Sequence, residues 1–147
     1  TSYYGVLNNL IKKSFNQKCT ELNQQTQEYF EKIHNDICAY KNVHYRLSFK
    51  GTSYRIGRKL LAKIVVRGKT LKLHLALDVN NFNKKVYFQQ DYSSLKAFEQ
   101  IPFAVKIKSN RGLSNAIKLV EELMKQNNII KNDKYLPVLM VDILKKQ

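Results

Sequence analysis

The sequence predicts an α+β fold: an antiparallel sheet of about 4–5 strands with helices packed on one face and helices at both ends. Three observations lead to this prediction. Apolar residues recur at helical spacing before residue 41 and after residue 109. Between these regions, apolar and polar residues alternate with a period of two, as in half-buried strands, and glycines separate the alternating segments. We expect the 147 residues to form one domain, large enough to fold without a disulfide or a metal.

The chain is predicted to open with two helices. Tyr3 to Phe15 carries apolar side chains at helical spacing, which predicts a terminal helix over about residues 2–15. Asn16 to Gln25 is polar and is interpreted as a connection. Gln27 to Tyr40 has one apolar side and predicts a second helix.

The central region predicts the sheet. Val43 to Lys50 alternates in polarity, and a short segment containing Tyr54 lies between two glycines. Leu60 to Val66 and Thr70 to Leu77 form a hairpin, with Gly68 available for positive φ in its turn. The side chains of this region predicted to point inward are Tyr45, Leu47, Phe49, Leu60, Ala62, Ile64, Val66, Leu71, Leu73, Leu75 and Leu77.

After Asp78 the pattern becomes shorter and more irregular. Val79 to Lys85 is predicted to be a loop, Val86 to Gln90 a short strand, and Ser93 to Gln100 a helical turn. Phe103 to Lys108 alternates again and predicts a strand.

Two further helices are predicted at the end of the chain. Ser109 or Asn110 can cap a long amphipathic helix. Asp133 and Pro137 then open a last helical segment, predicted over about residues 134–146.

The charge distribution is the main functional clue. Residues 37–77 contain no Asp or Glu but ten Lys or Arg, and the whole chain has a formal net charge of +15. Such a balance favours a nucleic acid, an anionic membrane surface or an acidic protein as the partner. If alternation holds, the sheet face away from the helices collects His44, Arg46, Ser48, Lys50, Lys63, Lys72, His74, Lys106 and Lys108.

The leading hypothesis is a non-enzymatic domain that binds the DNA or RNA backbone through this face, largely without sequence specificity. The sequence has no RNP1-like block, GxxG clamp or zinc-finger spacing, and only Tyr54, Tyr87 and Tyr92 are predicted to be surface rings. With neighbouring turns and one helix N-terminus added, the candidate binding residues are Arg46, Lys50, Arg58, Lys59, Lys63, Arg67, Lys69, Lys72, Lys106, Lys108 and Arg111.

Two alternatives remain open. The basic face could dock an acidic protein or an anionic membrane surface, or the domain could hold a small phosphorylated ligand. Catalysis is not favoured, because His34, His44 and His74 are scattered and no catalytic motif occurs. We expect no cofactor and no metal.

The cysteines and the apolar runs bear on the compartment. Cys19 and Cys38 form no CxxC pair, which favours a reducing cytoplasm. No apolar run approaches the roughly 18 residues that a transmembrane helix needs. Since the chain begins at Thr1 rather than Met, we expect it to be either a trimmed chain or a piece of a longer protein.

Several blocks occur together in a familiar order. They are Gly57 to Lys63, Arg67 to Leu71, Leu75 to Asp78 and Lys106 to Leu113. Over about residues 27–127 the chain resembles an uncharacterised domain found in bacterial proteins of Firmicutes and their wall-less relatives. The resemblance implies a small α+β domain of the same layout, and it carries no assigned activity.

Overall fold

The computed structural model describes residues 12–145, which form a six-stranded sheet with helices against it. This confirms the α+β prediction, with a sheet slightly larger than expected. The helices of this region are α1 (Phe15–Thr20), α2 (Gln24–Cys38), α3 (Lys84–Tyr87), α4 (Asn110–Gln126) and α5 (Met140–Ile143), with 3₁₀ turns at Val79–Asn81 and Lys96–Phe98. The strands are β1 (Val43–Leu47), β2 (Thr52–Ile56), β3 (Lys59–Arg67), β4 (Thr70–Leu75), β5 (Gln90–Asp91) and β6 (Phe103–Ile107).

The strands follow the order β1-β2-β3-β4-β6-β5, and every neighbouring pair is antiparallel. The first four strands therefore form a meander of consecutive hairpins. Gly57 and Gly68 have φ of 57° and 63° at the β2–β3 and β3–β4 turns, a backbone region that glycine enters without steric cost.

The main core lies between one face of the sheet and the helices α2 and α4. Each long helix begins at a side-chain cap: Asn23 Oδ1 accepts from the Thr26 amide at 2.8 Å, and Ser109 Oγ accepts from the Gly112 amide at 3.1 Å. The buried core side chains of these two helices and the facing strands include Tyr29, Phe30, Ile33, Ile37, Tyr54, Ile64, Leu73, Val105, Leu119 and Leu123.

A β-bulge changes the predicted alternation at the start of β3. The pairing register shifts between Tyr54 and Arg55, so that Leu61 becomes the extra residue of β3. Leu61 is fully buried in the core, whereas Leu60 is only partly buried opposite Arg55. The prediction that Leu60 points inward and Leu61 outward was therefore wrong, because a strict period of two cannot continue through a bulge.

The face of the sheet away from α2 and α4, here called the outer face, is only partly open to solvent. The chain between β5 and β6 lies across it, and the Phe98 ring stacks on His74 at 4.1 Å between centroids. His74 and Lys72, predicted to face solvent, are 0% and 6% exposed. Alternation placed both residues on the correct face of the sheet. Their burial was not predicted, because the loop that covers them lies far from them in the sequence.

Two aromatic predictions were also wrong. Tyr54, expected at the surface, is fully buried, and its hydroxyl lies 2.6 Å from His34 Nδ1. Phe49, expected inward, is 56% exposed because β1 ends at Leu47 and the alternation ends with it.

The ends of the chain differ from the predicted helices. Residues 2–11 of the predicted first helix lie outside the described residues. The described helix α1 begins at Phe15, after the Ser14 cap, and its other residues lie in the segment Asn16 to Gln25 that was interpreted as a connection. Near the C-terminus only Met140–Ile143 is helical. Within the chain, the expected strand over Val86 to Gln90 is instead the end of α3 followed by β5.

Of the helices within residues 12–145, none combines the length and apolar character that crossing a membrane requires.

Candidate functional site

Three cavities follow one another across the outer face and around its β6 edge. The first, of about 530 Å³, lies beside α1 and the β1–β2 turn. The second, of about 230 Å³, lies beside the β3–β4 turn, and the third, of about 470 Å³, lies between α3, β6 and the start of α4. Arg67 lines both the first and the second cavity, and Lys106 lines both the second and the third. Each cavity therefore adjoins the next at a shared basic side chain, and the three together are here called the path.

This path is strongly basic. Its basic side chains, here called the cationic track, are Lys12, Lys13, Lys18, Lys50, Lys63, Arg67, Lys72, Lys85, Lys106, Lys108 and Arg111. No described Asp or Glu lines the three cavities. Lys13 pairs with Glu21 at 2.8 Å, and no other member of the track has a carboxylate within 4.0 Å among residues 12–145. The track is thus an array of nearly uncompensated positive charge.

In the first cavity the cations surround an apolar floor. Lys63, Val65 and Arg67 alternate along the outer face of β3, and Phe98 and the exposed Phe49 ring complete the lining. Burial lowers the pKa of Lys63, and the positive charges of Lys50, Arg55 and Arg67 lower that pKa further. Like charges therefore crowd this cavity.

A glycine and a backbone hydrogen bond place the turn that carries Phe49 and Lys50. A Cβ added at Gly51 would lie 2.4 Å from the carbonyl oxygen of Ile64, so only glycine lets the turn approach β3 this closely. The amide of Phe15, at the start of α1, donates to the carbonyl oxygen of Phe49 at 2.7 Å. These contacts hold α1 and the turn side by side at the first cavity.

The second cavity contains the most buried cation of the track. Lys72 is 6% exposed, its Nζ donates to the Tyr92 hydroxyl at 2.5 Å, and Nζ lies 4.8 Å from the Tyr92 ring centroid. Lys106 lies directly across from Lys72 on β6, and Arg67 lies across from Thr70. Three cations and two hydroxyl-bearing side chains therefore line this small cavity.

The third cavity lies where β6 leads into α4. Lys108 and Arg111 lie on either side of the Ser109 cap, and Lys85 approaches from α3. Phe88 ends α3 with φ of 52° and is 75% exposed at the mouth of this cavity. Cations and an exposed ring therefore occur together here, as they do in the first cavity.

The structure brings together seven of the predicted binding residues and leaves four apart. Those that line the three cavities are Lys50, Lys63, Arg67, Lys72, Lys106, Lys108 and Arg111. Arg46 lies on β1 opposite Ser53, and Lys69 is exposed in the β3–β4 turn; neither lines a cavity of the track. Arg58 and Lys59 lie at the opposite end of the nine-residue β3 from Arg67, about 26 Å away at 3.3 Å per residue. Lys59 donates instead to Asn127, at the end of α4.

Sequence reasoning missed the track residues outside the strands. Lys12, Lys13, Lys18 and Lys85 fall in segments interpreted as a terminal helix, a connection and a loop. The adjacent pairs Lys12-Lys13 and Lys84-Lys85 were the available signal, but nothing local indicated that they meet the sheet. Phe49 was missed because the strand ends before it.

His74 adds no positive charge to the track at neutral pH. Burial lowers its pKa to about 3, and the charges of Lys72, Arg67 and Lys63 act in the same direction. Within residues 12–145 neither ring nitrogen has a hydrogen-bond partner. Neither His74 nor His44 lines the three cavities, so the histidine–arginine pocket that would favour an enzyme is not formed there.

A buried cysteine–histidine contact lies on the other side of the sheet. Cys38 Sγ is 3.6 Å from His34 Nε2, and His34 Nδ1 is 2.6 Å from the Tyr54 hydroxyl. Cys38 is the last residue of α2, and it lines none of the three cavities. We interpret this group as a polar part of the core. The described residues contain no cluster of three or more His, Cys, Asp or Glu that could hold a metal ion.

Comparison of the chain with family models, with curated proteins and with solved structures found no significant match. The resemblance of residues 27–127 to an uncharacterised bacterial domain therefore stays a prediction. Function is inferred below from the cationic track.

Proposed function

We propose that this protein binds the phosphate backbone of nucleic acid along the cationic track, without a sequence-reading motif and without catalysis. The observation that carries the proposal is the composition of the track: eleven basic side chains from residues 12–111 line three adjoining cavities, and no described Asp or Glu lines them. Lys and Arg that neutralise successive phosphates release condensed counterions, which gives affinity independent of sequence. A reducing bacterial cytoplasm fits this proposal, since the chain has two cysteines and no CxxC pair.

The apolar side chains within the track favour a single strand over a duplex. Phe49 and Phe88 are exposed rings beside cations, and Val65 and Phe98 form an apolar floor. Unpaired bases stack on exposed aromatic rings with little regard to sequence, whereas bases in a duplex are already stacked. We therefore propose single-stranded DNA or RNA as the preferred ligand.

The proposal is tested by reversing charges in the track. The variant Lys63→Glu/Arg67→Glu/Lys106→Glu reverses three charges of the track, so that every cavity loses at least one cation, while leaving the buried core unchanged. We expect its affinity for a fluorescently labelled 20-nucleotide strand, measured by anisotropy, to fall at least 100-fold at 50 mM salt. Loss of three phosphate contacts also reduces the slope of log affinity against log salt by about 2.

The matched control is Lys32→Glu/Lys41→Glu/Lys118→Glu, which changes the net charge equally at exposed residues outside the track. We expect this variant to keep most of the wild-type affinity, because its charges lie outside the path of the strand. Equal losses in both variants would show that net charge, and not the track, is responsible. Unchanged binding in the track variant would contradict the proposal outright. Circular dichroism and thermal unfolding verify that both variants are folded.

A further inference from the structure

The second cavity places like charges where a sheet normally avoids them. Lys72 on β4 and Lys106 on β6 are directly opposite in an antiparallel pair and share the outer face. Directly opposed like charges destabilise a sheet unless an anion lies between them. Arg67 lines the same cavity, and among residues 12–145 no carboxylate lies within 4.0 Å of any of the three.

The burial of Lys72 is a second, independent observation. Its side chain is 94% buried, since its exposed fraction is 6%. A lysine side chain with so little exposure is stabilised by a nearby counter-charge. The hydrogen-bond partner of its Nζ among the described residues is the neutral hydroxyl of Tyr92. An anion bound in this cavity would supply that counter-charge.

The shape and the donors of the cavity select the kind of anion. Its volume of about 230 Å³ is below the range of about 300–1,000 Å³ typical of small-molecule sites, so a nucleoside does not fit inside. Two ammonium groups, one guanidinium and the hydroxyls of Thr70 and Tyr92 offer more donors than a planar carboxylate can use. A tetrahedral phosphoryl group has enough acceptor oxygens for such a set and carries the charge that the cations lack.

We infer that the cavity lined by Arg67, Thr70, Lys72, Tyr92 and Lys106 is a binding site for a single phosphoryl group. This inference rests on the proposed function where the phosphoryl group belongs to a nucleic-acid strand, and it extends to free phosphate esters with the same chemistry. Lys72 provides the buried charge, and Tyr92 orients the Lys72 ammonium group while its own hydroxyl proton remains available to the ligand. The remainder of the ligand lies outside, over the neighbouring cavities.

The test uses inorganic phosphate and the folded protein, with thermal unfolding as the measurement. At constant ionic strength, phosphate at tenfold excess over its dissociation constant is expected to raise the Tm of the wild type by about 4 °C relative to chloride. Lys72→Met keeps the side chain out to the ε-carbon and removes its charge. We expect this variant to have a higher Tm than the wild type without phosphate, because the repulsion between Lys72 and Lys106 is lost, and to show no response to phosphate.

The matched control is Lys118→Met, the same substitution at an exposed lysine outside the track, which is expected to respond to phosphate like the wild type. An equal response of Lys72→Met and wild type would overturn the site, as would no response of the wild type to phosphate. Tyr92→Phe, which removes only the hydroxyl, is expected to reduce the phosphate response without abolishing it.

Oligonucleotides distinguish the sources of the phosphoryl group. If an internal phosphodiester fills the cavity, Lys72→Met weakens 5′-phosphorylated and 5′-hydroxyl strands equally. If a terminal phosphate fills it, only the phosphorylated strand is weakened. If strands bind the track but inorganic phosphate leaves the Tm unchanged, the phosphoryl site is contradicted and the proposed function stands. If phosphate acts through Lys72 but no strand binds, the proposed function is contradicted and the phosphoryl site stands.

Discussion

His74 is an example of a side chain whose charge is determined by its surroundings rather than by its type. Its ring is fully buried between Phe98 and Tyr92, and the nearest charges are all positive. The imidazole is therefore neutral in the folded protein at any pH well above about 3. An exposed imidazole in the unfolded chain titrates near 6.5.

This difference predicts a pH-dependent stability. Between pH 6.5 and 3 the unfolded chain binds a proton that the folded protein does not, so the free energy of unfolding falls as the pH falls. The slope due to His74 is at most about 1.4 kcal/mol per pH unit. Urea unfolding from pH 7 to pH 4.5 should show a smaller slope for His74→Leu than for the wild type.

The control for this measurement is His44→Leu, which removes an exposed imidazole on β1. Its slope is expected to match that of the wild type, because this substitution leaves the buried His74 ring in place. A slope for His74→Leu that equals the wild-type slope would contradict the role assigned to His74.

At the residue scale, the sequence predicted the face of the sheet on which a side chain lies better than it predicted the solvent exposure of that side chain. Lys63, Lys72 and His74 were all placed on the correct side of the sheet, because alternation is a local property of a strand. Their burial was not predictable, because Phe98 and Tyr92 reach them from a loop about 20 residues away in the chain. Phe49 shows the converse: alternation fails as soon as the strand ends.

Among the elements, the C-terminal segment shows how one side chain can replace regular structure. Asn35 on α2 accepts from the Tyr135 hydroxyl at 2.6 Å and from the Val138 amide at 2.9 Å. Its Nδ2 donates to the carbonyl oxygens of Val138 at 2.9 Å and Glu31 at 2.8 Å. Asn35 thus holds an irregular segment against α2 where apolar spacing had predicted a helix.

Replacement of Asn35 by Ala should destabilise the protein by about 1–3 kcal/mol, because partly buried groups of Val138 and Tyr135 lose their partners. Chemical denaturation measures this change in the free energy of unfolding. Asn35→Asp, which keeps the acceptor oxygens and removes the donor, is expected to fall between Ala and the wild type. A loss below about 0.5 kcal/mol for Asn35→Ala would show that the C-terminal segment contributes little to folding.

At the element scale, a helix or strand was predicted well when the contacts that determine it are close in the sequence. The β3–β4 hairpin and α4 were predicted closely, because their patterns and their turn or cap residues are contiguous. The bulge at Leu61 depends on pairing with β2, and the C-terminal segment depends on Asn35, a residue about 100 positions away. Such distant partners leave no periodic signal.

At the scale of the whole molecule, two contributions to binding along the cationic track can be measured separately: charge and base stacking. Charge sets the salt dependence, whereas base stacking on Phe49 does not release counterions. Phe49→Ala is therefore expected to weaken binding of a single strand by about 1–3 kcal/mol without changing the slope of log affinity against log salt. Anisotropy titrations at several salt concentrations measure both quantities.

Duplex DNA provides the comparison for this variant, since its stacked bases cannot use the ring. Its affinity should be the same for Phe49→Ala and the wild type. If the variant binds single strands as tightly as the wild type does, Phe49 is not a stacking platform, and the track recognises phosphates alone.

The basic face itself was predictable from β3, β4 and β6, but its extension to α1 and α3 required the folded chain.

The order of the strands has a consequence for when the track comes into existence during folding. The β1–β4 meander consists of neighbouring hairpins, so its contacts are local and are expected to form early. The walls of the cavities come from both sides of that meander in the sequence: α1 before it, and the loop after β5 together with β6 after it. A nascent chain that has formed only the meander presents lysines without cavities. Tight binding is therefore acquired last, once both flanking regions have docked.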